Sequence, residues 1–423
     1  MQHLMQKNPS GRLSLSVIVV GAGPAGMMAA IAAASGGARV TLCDQLARPG
    51  VKLLATGGGR CNLTNTLPDV EFMAAFGRNG RFMQSALRRL NATALRDFLA
   101  EHGVPTHSPD GFRVYPVSNS SATVQRALHR LCTERGVTIR CGTRVAELVA
   151  SGSRVTGIRT GRETLPADRV VLATGGRSYP DLGGTGSGYD LARRAGHTLS
   201  DLLPVLTPLF TRETWPAACA GASVADGRAW IDEPRYPREG CRGDLLFTHQ
   251  GLSGPVILDL SRHVAPFLNK KRSVRLRVEL APGTTAPEWI QRLDRWHREA
   301  GRRRIVGLLD EHLPARLAAV AADVAGISPE TTAAEVTRDQ RRRLADTLAG
   351  ATLTATGCGG WDVAMVTRGG VNLKEVDPQT LQSRILKGLF FAGEVLDLDG
   401  PSGGYNLQWA FSSGWLAGHS ALT

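Results

Sequence analysis

The feature that most constrains this chain lies at its two ends, which read as halves of one nucleotide-binding fold. Residues 17–44 run V-I-V-V-G-A-G-P-A-G-M-M-A-A-I-A-A-A-S-G-G-A-R-V-T-L-C-D, and residues 388–418 run G-L-F-F-A-G-E-V-L-D-L-D-G-P-S-G-G-Y-N-L-Q-W-A-F-S-S-G-W-L-A-G. The first stretch is an apolar strand, a glycine turn, an alanine-rich helix and a second strand closing on an acid, the order a dinucleotide fold requires. The second is another apolar strand, an acid, a glycine loop and a helix. The chain between them must leave that fold and return to it.

Residue types dictate the chemistry of the first half. Gly21 permits the tight turn, Gly23 lets backbone approach a pyrophosphate, and Gly26 lets helix pack close on strand. The helix N-terminus offers free N–H groups and a partial positive charge to the phosphates. Asp44 falls where a carboxylate grips ribose hydroxyls. Glycines and Pro24 break the apolar run of residues 13–34, and no stretch of about 20 apolar residues exists, so no membrane span is expected. The seven cysteines are odd in number and never spaced C-x-x-C, which indicates neither a disulfide framework nor a zinc site. A cytoplasmic protein without metal is the expectation.

A formal net charge of +13 over 423 residues favours a polyanionic partner. Nearly all the basic residues are arginine, as an arginine-biased proteome would also give, so clustering decides. From Lys270 to Arg304 there are eleven basic residues against four acids. Arg341, Arg342 and Arg343 form a second block, and Arg78, Arg81, Arg88, Arg89 and Arg96 a third with no acid among them. Helical spacing puts Arg292, Arg295, Arg298 and Arg302 on one face, either a phosphate-tracking ridge or an ordinary solvated surface.

Residues 50–65 hold three consecutive glycines followed by Arg60, Cys61 and Asn62, a loop whose backbone can approach a planar ligand. Residues 80–102 and 122–135 read as helices, and 137–141, 145–149 and 168–176 as strands. The glycine-rich segment 178–197 reads as a loop entering a helix near Gly188; no separate nicotinamide-binding domain is visible. From 204 to 283, short apolar runs at 245–247, 256–260 and 274–280 predict a small barrel or sandwich. Residues 286–349 are helical, and 351–367 is β-like.

The motifs G-x-G-x-x-G, G-G-G-R-C-N-L-T-N (57–65), A-T-G-G-R-S-Y-P (173–180), L-L-F-T-H-Q-G-L-S-G-P (245–255), V-T-R-G-G-V (366–371) and A-G-E-V-L-D-L-D-G-P-S-G-G-Y-N-L-Q-W-A-F-S-S-G (392–414) occur together and in order. Over almost its whole length the chain resembles the BaiN/RdsA family of FAD-dependent oxidoreductases, the YhiN-type flavoproteins. The resemblance implies an α/β chain with an FAD-binding Rossmann-like fold of the glutathione-reductase type, interrupted by a β-barrel domain carrying a helical insert. The corresponding divisions are FAD-binding at 1–198 and 369–423, barrel at 199–285 and 349–368, and insert at 286–348. Non-covalent FAD would be held by Gly21, Gly23, Gly26, Asp44, Val145, Gly175 and Gly393, with Arg60, Cys61 and Asn62 near the isoalloxazine. Glu394 and Asp399 would lie near the ribityl chain, and Gly403, Gly404, Asn406 and Leu407 along the flavin edge. NAD(P)H is the implied electron donor. Members of the family are assigned to reduction of conjugated double bonds, including dihydrouridine formation in large-subunit ribosomal RNA and a step in bile-acid dehydroxylation.

The reaction class has its own physical support. A helix beginning near Asn406 would aim its N-terminus at the pyrimidine end of the flavin and favour the reduced anion. In uracil, C6 is β to the C4 carbonyl, so hydride adds there and C5 takes a proton from a general acid. Cys61, His249 and Tyr405 are candidates for that acid. Each has a structural alternative: Cys61 as a small buried packing residue, His249 as a turn cap, Tyr405 as a ring over the flavin. Two substrate classes stay open, uridine in ribosomal RNA and a small-molecule enone, with a non-catalytic flavin-binding assembly factor as a third reading.

Overall fold

The computed structural model describes residues 14–234, 236–237, 239–270 and 273–423. The chain divides into two compact units, one running to Leu203 and resuming as Val366–Thr423, the other Pro204–Met365. Each has its own apolar core. Among the described residues no helix is long and apolar enough to cross a membrane.

The first unit is built on a five-stranded parallel sheet. Ser16–Val20 is its central strand, with Arg169–Leu172 and then Leu389–Phe391 on one side and Arg39–Cys43 and then Thr138–Arg140 on the other. The sequence V-I-V-V suits this place because a parallel strand is covered on both faces and must be apolar throughout. Register puts Val20 beside Leu172 and Cys43, and Leu172 beside Phe391. Four strands therefore end along one edge, and four glycine- or acid-bearing loops leave from it: Gly21, Asp44, Thr174-Gly175 and Gly393-Glu394. Ligands of parallel α/β sheets bind at that edge.

Two buried helices, Pro24–Ser35 and Tyr405–Ser420, pack against each other beside the sheet. Small residues make the close approach possible. A Cβ on Gly414 would stand 2.2 Å from the Ala25 carbonyl oxygen, and one on Gly418 would stand 2.3 Å from that of Ala29. The second helix is further pinned by the Trp409 indole N–H donating to the Gly393 carbonyl at 3.2 Å, and by Ser413 Oγ accepting from the Gly393 N–H at 2.9 Å. Residues 80–102 do not form one helix as expected: Gly77–Met83 is a 3-10 turn, followed by helices Gln84–Arg89 and Ala92–Glu101. Asn91 breaks the run by accepting the Ala94 N–H at 3.0 Å, an N-cap that starts a new helix.

The second unit is a closed barrel with strand order Leu209–Thr211, Gly251–Ser253, Cys241–Thr248, Ser223–Ile231, Val274–Val278 and Ala351–Cys358. Four helices, Ala286–Glu299, Ile305–Leu309, Ala315–Val324 and Arg338–Gly350, lie between the last two strands in sequence. Capping boxes start two of them, Thr285 with Glu288 and Thr337 with Gln340. The apolar run 256–260 is not a strand. It opens the helix Pro255–Lys270, which buries Val256, Ile257, Leu260, Val264 and Ala265. Five residues were too short a window to separate the two periodicities.

Gly414→Val is expected to cost about 1–3 kcal/mol of stability, because the added side chain overpacks a helix contact with backbone on its far side. Thermal unfolding of purified wild type and variant measures it; an unchanged midpoint would show that the two helices separate at no cost.

Candidate functional site

At the end of the first strand, the three glycines of the turn have different reasons to be glycine. Gly21 has φ +101°, and a Cβ there would lie 2.4 Å from the Ala173 carbonyl oxygen; one on Gly26 would lie 1.7 Å from that of Gly21. Both are demanded by the protein's own packing. Gly23 is not: its φ is −73°, which any residue adopts, and nothing lies within 4 Å of an added Cβ. Its open face sits at the N-cap of the Pro24–Ser35 helix, where free N–H groups attract phosphate. That unfilled space, in front of a helix N-terminus, fits the pyrophosphate of a dinucleotide. Asp44 stands beside it, one carboxylate oxygen accepting from the Ala22 N–H at 2.6 Å and the other from the Leu46 N–H at 2.8 Å. Burial raises its pKa, opposed by those two bonds. Each oxygen keeps a lone pair for a hydroxyl.

The other half of the site is a pair of loops tied by asparagines. Gly57, Gly58 and Gly59 all have positive φ, as does Cys61 at +65°. Asn62, with its amide oriented to satisfy both neighbours, donates to the Thr64 carbonyl at 3.1 Å and accepts from the Gly404 N–H at 3.2 Å. Asn65 donates to the Gly403 carbonyl at 3.0 Å. Gly403 and Gly404 have φ +104° and +88°, and a Cβ on Gly404 would meet the Thr64 carbonyl at 2.4 Å. The side chain of Asn406 closes the same loop, accepting from the Gly400 N–H at 2.8 Å and donating to the Gly400 carbonyl at 2.9 Å. These bonds set the start of the Tyr405–Ser420 helix, on which Leu407 is half-buried.

Glu394 is the centre of a third group. Its carboxylate accepts from the Thr367 N–H at 2.7 Å and the Ser178 hydroxyl at 3.1 Å, and pairs with Lys52 at 3.0 Å; Lys52 also reaches Ser178 at 2.7 Å. A Cβ on Gly176 would fall 2.6 Å from Glu394 Oε1, which explains the second glycine of A-T-G-G. Gly175 beside it, φ +72°, has nothing within 4 Å of an added Cβ, and Gly393, φ +76°, abuts Ala25. Asp399 is buried with Arg368 at 3.7 Å. Val145 is buried at the start of the Val145–Ser151 strand, paired with Thr160. Sequence reading missed Lys52, Asn65, Ser178 and Thr367. Lys52 carried one signal, a lysine in a chain whose basic residues are mostly arginine.

The three proton-donor candidates stand in different surroundings. Cys61 is fully buried, its N–H donating to the Thr56 carbonyl at 3.0 Å, and burial pushes its thiol up to about 12 against the hydrogen bond from Thr56. Tyr405 is buried in an aromatic cluster, its ring centroid 4.9 Å from Phe72 and 6.0 Å from Phe76. His249 belongs to the second unit, exposed at the turn between Cys241–Thr248 and Gly251–Ser253. Arg60 lies 4.9 Å over the Tyr115 ring.

The arginine ridge of the insert is shorter than its spacing suggested. The helix stops at Glu299, so Arg302 lies in the turn beyond it rather than on the helix face. Arg292 lies 4.9 Å over the Trp289 ring and 3.3 Å from His312 Nε2, which leaves Arg295 and Arg298 as the exposed pair on the helix.

The HI0933-like protein Rossmann domain family model matches residues 15–420. The chain is 35% identical over 409 residues, 95% of this chain and 98% of the relative, to 3-dehydro-bile acid delta(4,6)-reductase of Clostridium scindens. It is 31% identical over 407 residues, 96% of this chain and 97% of the relative, to ribosomal RNA dihydrouridine synthase of Escherichia coli. Among solved structures, 3-ketosteroid delta1-dehydrogenase from Sterolibacterium denitrificans aligns at a TM-score of 0.54 with 14% identity, covering 97% of this chain and 100% of that one. At that identity the likeness is one of fold alone.

Gly23→Val is expected to fold with a loss of no more than about 1 kcal/mol, a weaker N-cap being its only intrinsic defect, while losing bound dinucleotide. Gly26→Val is expected to be destabilised and poorly soluble. Cofactor content by absorbance together with circular dichroism separates the two; a fully loaded Gly23→Val protein would show that the phosphates lie elsewhere.

Proposed function

Because the chain belongs to the HI0933-like family of FAD-dependent oxidoreductases, we propose that it binds FAD non-covalently and reduces a conjugated carbon–carbon double bond, that of uridine in large-subunit ribosomal RNA. The open face of Gly23 before a helix N-terminus is the observation that carries the cofactor assignment. The choice of RNA is supported by the net charge of +13 and by full-length similarity to a ribosomal RNA dihydrouridine synthase. An apolar enone gives no reason for such a charge. The second reading, a small-molecule enone reductase, is favoured by the 35% identity to a bile-acid reductase.

FAD when bound supplies the hydride, with NAD(P)H proposed as its cytoplasmic source. The chain's own residues bind, orient and protonate. The Gly21–Gly26 turn would hold the pyrophosphate and Asp44 the ribose. Glu394, braced by Lys52, Ser178 and Thr367, would accept from a ribityl hydroxyl. Asn62 and Asn65 hold the Gly403–Gly404 loop, and the first N–H groups of the Tyr405–Ser420 helix would favour negative charge on the reduced flavin. His249 is the proposed proton donor, since Cys61 and Tyr405 are enclosed by packing whereas its imidazole is exposed.

Mass-spectrometric mapping of large-subunit ribosomal RNA from cells lacking the protein is expected to show the loss of a dihydrouridine, restored by the wild-type gene. Unchanged dihydrouridine, together with rapid enone-dependent reoxidation of the purified reduced protein, would establish the small-molecule reading instead.

His249→Ala is expected to lower turnover about 10²–10⁴-fold, the range for removing a general acid, at unchanged FAD content. A wild-type rate in that variant would return the role to Cys61 or Tyr405.

A further inference from the structure

The insert, where the basic residues are densest, leaves some arginines exposed, Arg295 and Arg298 among them, but engages others within its own fold. In the insert, Arg303 pairs with Glu311, Arg304 with Glu330 and Arg341 with Asp294, Arg343 donates to the Ala325 carbonyl, and Arg292 rests on Trp289. Arg341 and Arg343 tie one helix to another, and the other three make contacts within one helix or between loops. In residues 77–89 of the first unit the pattern is opposite. Phe76, Gly80, Met83, Ala86, Leu87 and Leu90 point inward, and Arg78, Arg81, Arg88 and Arg89 are exposed. Among the described residues none of the four has a salt bridge, and no acid occurs between Glu71 and Asp97 apart from these ends. Burial disfavours the imidazolium of His419, and the nearby Arg89 adds to that.

This segment is also clamped to the candidate cofactor site. Asn79 donates to the Asp397 carbonyl at 3.2 Å, within A-G-E-V-L-D-L-D. Phe76 meets Tyr405 edge-on at 6.0 Å, and Phe82 meets Trp409 at 6.2 Å. Gln408 donates to the Leu90 carbonyl at 2.9 Å. Both ends of the basic segment are thus fixed to the helix and loop proposed to face the flavin, which gives its positive charge a set distance from the reacting ring.

We propose that the outward face of residues 77–89 is a docking surface for the phosphate backbone of the substrate RNA, holding the strand beside the flavin site through Arg78, Arg81, Arg88 and Arg89. This rests on the RNA reading above. Arg78 lies close enough to Asp397 to act on its carboxylate, whereas Arg81, Arg88 and Arg89 have no salt bridge among the described residues; exposed guanidinium groups of that kind exchange condensed counterions for phosphates, and the bonds to Asp397 and Leu90 hold the segment in place.

The test uses FAD-loaded protein and a fluorescein-labelled uridine-rich single-stranded RNA, with binding followed by anisotropy at several salt concentrations. In the triple variant Arg81→Ala/Arg88→Ala/Arg89→Ala, the slope of log affinity against log salt is expected to become shallower by about 2, three contacts at about 0.7 each. FAD content identical to wild type reports an intact fold, and the triple lysine variant is expected to retain most of the slope. An unchanged slope and affinity in the alanine variant, with wild type binding RNA, would overturn this docking face and leave the RNA reading standing. Wild type that binds RNA without salt dependence, or not at all, would overturn both. Preference for vesicles of anionic phospholipid over RNA would assign the face to a membrane surface and overturn the proposal.

Discussion

Everything in the candidate site depends on how closely two helices from opposite ends of the chain approach each other. The Pro24–Ser35 helix brings the turn proposed to bind phosphate, and the Tyr405–Ser420 helix brings the loop proposed to face the flavin. Their contact is set by Gly414 and Gly418 lying on the carbonyls of Ala25 and Ala29. A methyl group at either glycine would force the helices apart, and with them the glycine turn and the Gly403–Gly404 loop. Alanine and glycine, poor in side-chain burial, are chosen here for distance rather than for hydrophobic area. The remainder of the core compensates with large residues such as Phe390, Phe391, Trp409 and Met27.

Around that contact, polar side chains do what packing cannot. Loops rich in glycine lose more conformational entropy on ordering than others do, so each is held by side-chain bonds to its backbone. Asn62 and Asn65 hold Gly403 and Gly404, Asn406 holds Gly400, and Asp44 holds Ala22 and Leu46. The ion pair of Lys52 with Glu394 is partly buried and shared with two further donors, Ser178 and Thr367. Removing Lys52 would leave a partly buried carboxylate with one cation fewer, so the pair orients Glu394 more than it stabilises the fold.

Cysteine and arginine illustrate how one residue type divides between roles according to surroundings. Cys61 follows the glycine loop in sequence, yet its thiol is enclosed and pushed up to about 12, as burial also does to Cys132. Arg341 and Arg343 of the insert serve as helix-to-helix ties, whereas the arginines of residues 77–89 face solvent. Density of charge along the chain and availability of charge on the surface are different quantities, because a guanidinium already matched to a carboxylate has no counterions to release.

The sequence by itself determined the parallel sheet, the glycine turn, the return of the chain at residue 388 and a β-rich stretch followed by helices, leaving open whether that stretch closes as a barrel or packs as a sandwich. Each rests on local rules: a V-I-V-V run has to be covered on both faces, G-x-G-x-x-G has to turn sharply, and short β-branched runs between prolines and glycines have to close on each other. Local rules failed where two periods agree over five residues, as at 256–260, and where a cap interrupts a helical run, as at Asn91. Only the tertiary structure decided that Gly23 faces open space while Gly21 and Gly26 answer to the protein, that Lys52 and Thr367 meet at Glu394 across more than 300 residues, and which arginines are left for a partner. Those outcomes depend on distances between segments remote in sequence, and such distances exist only once the core has closed.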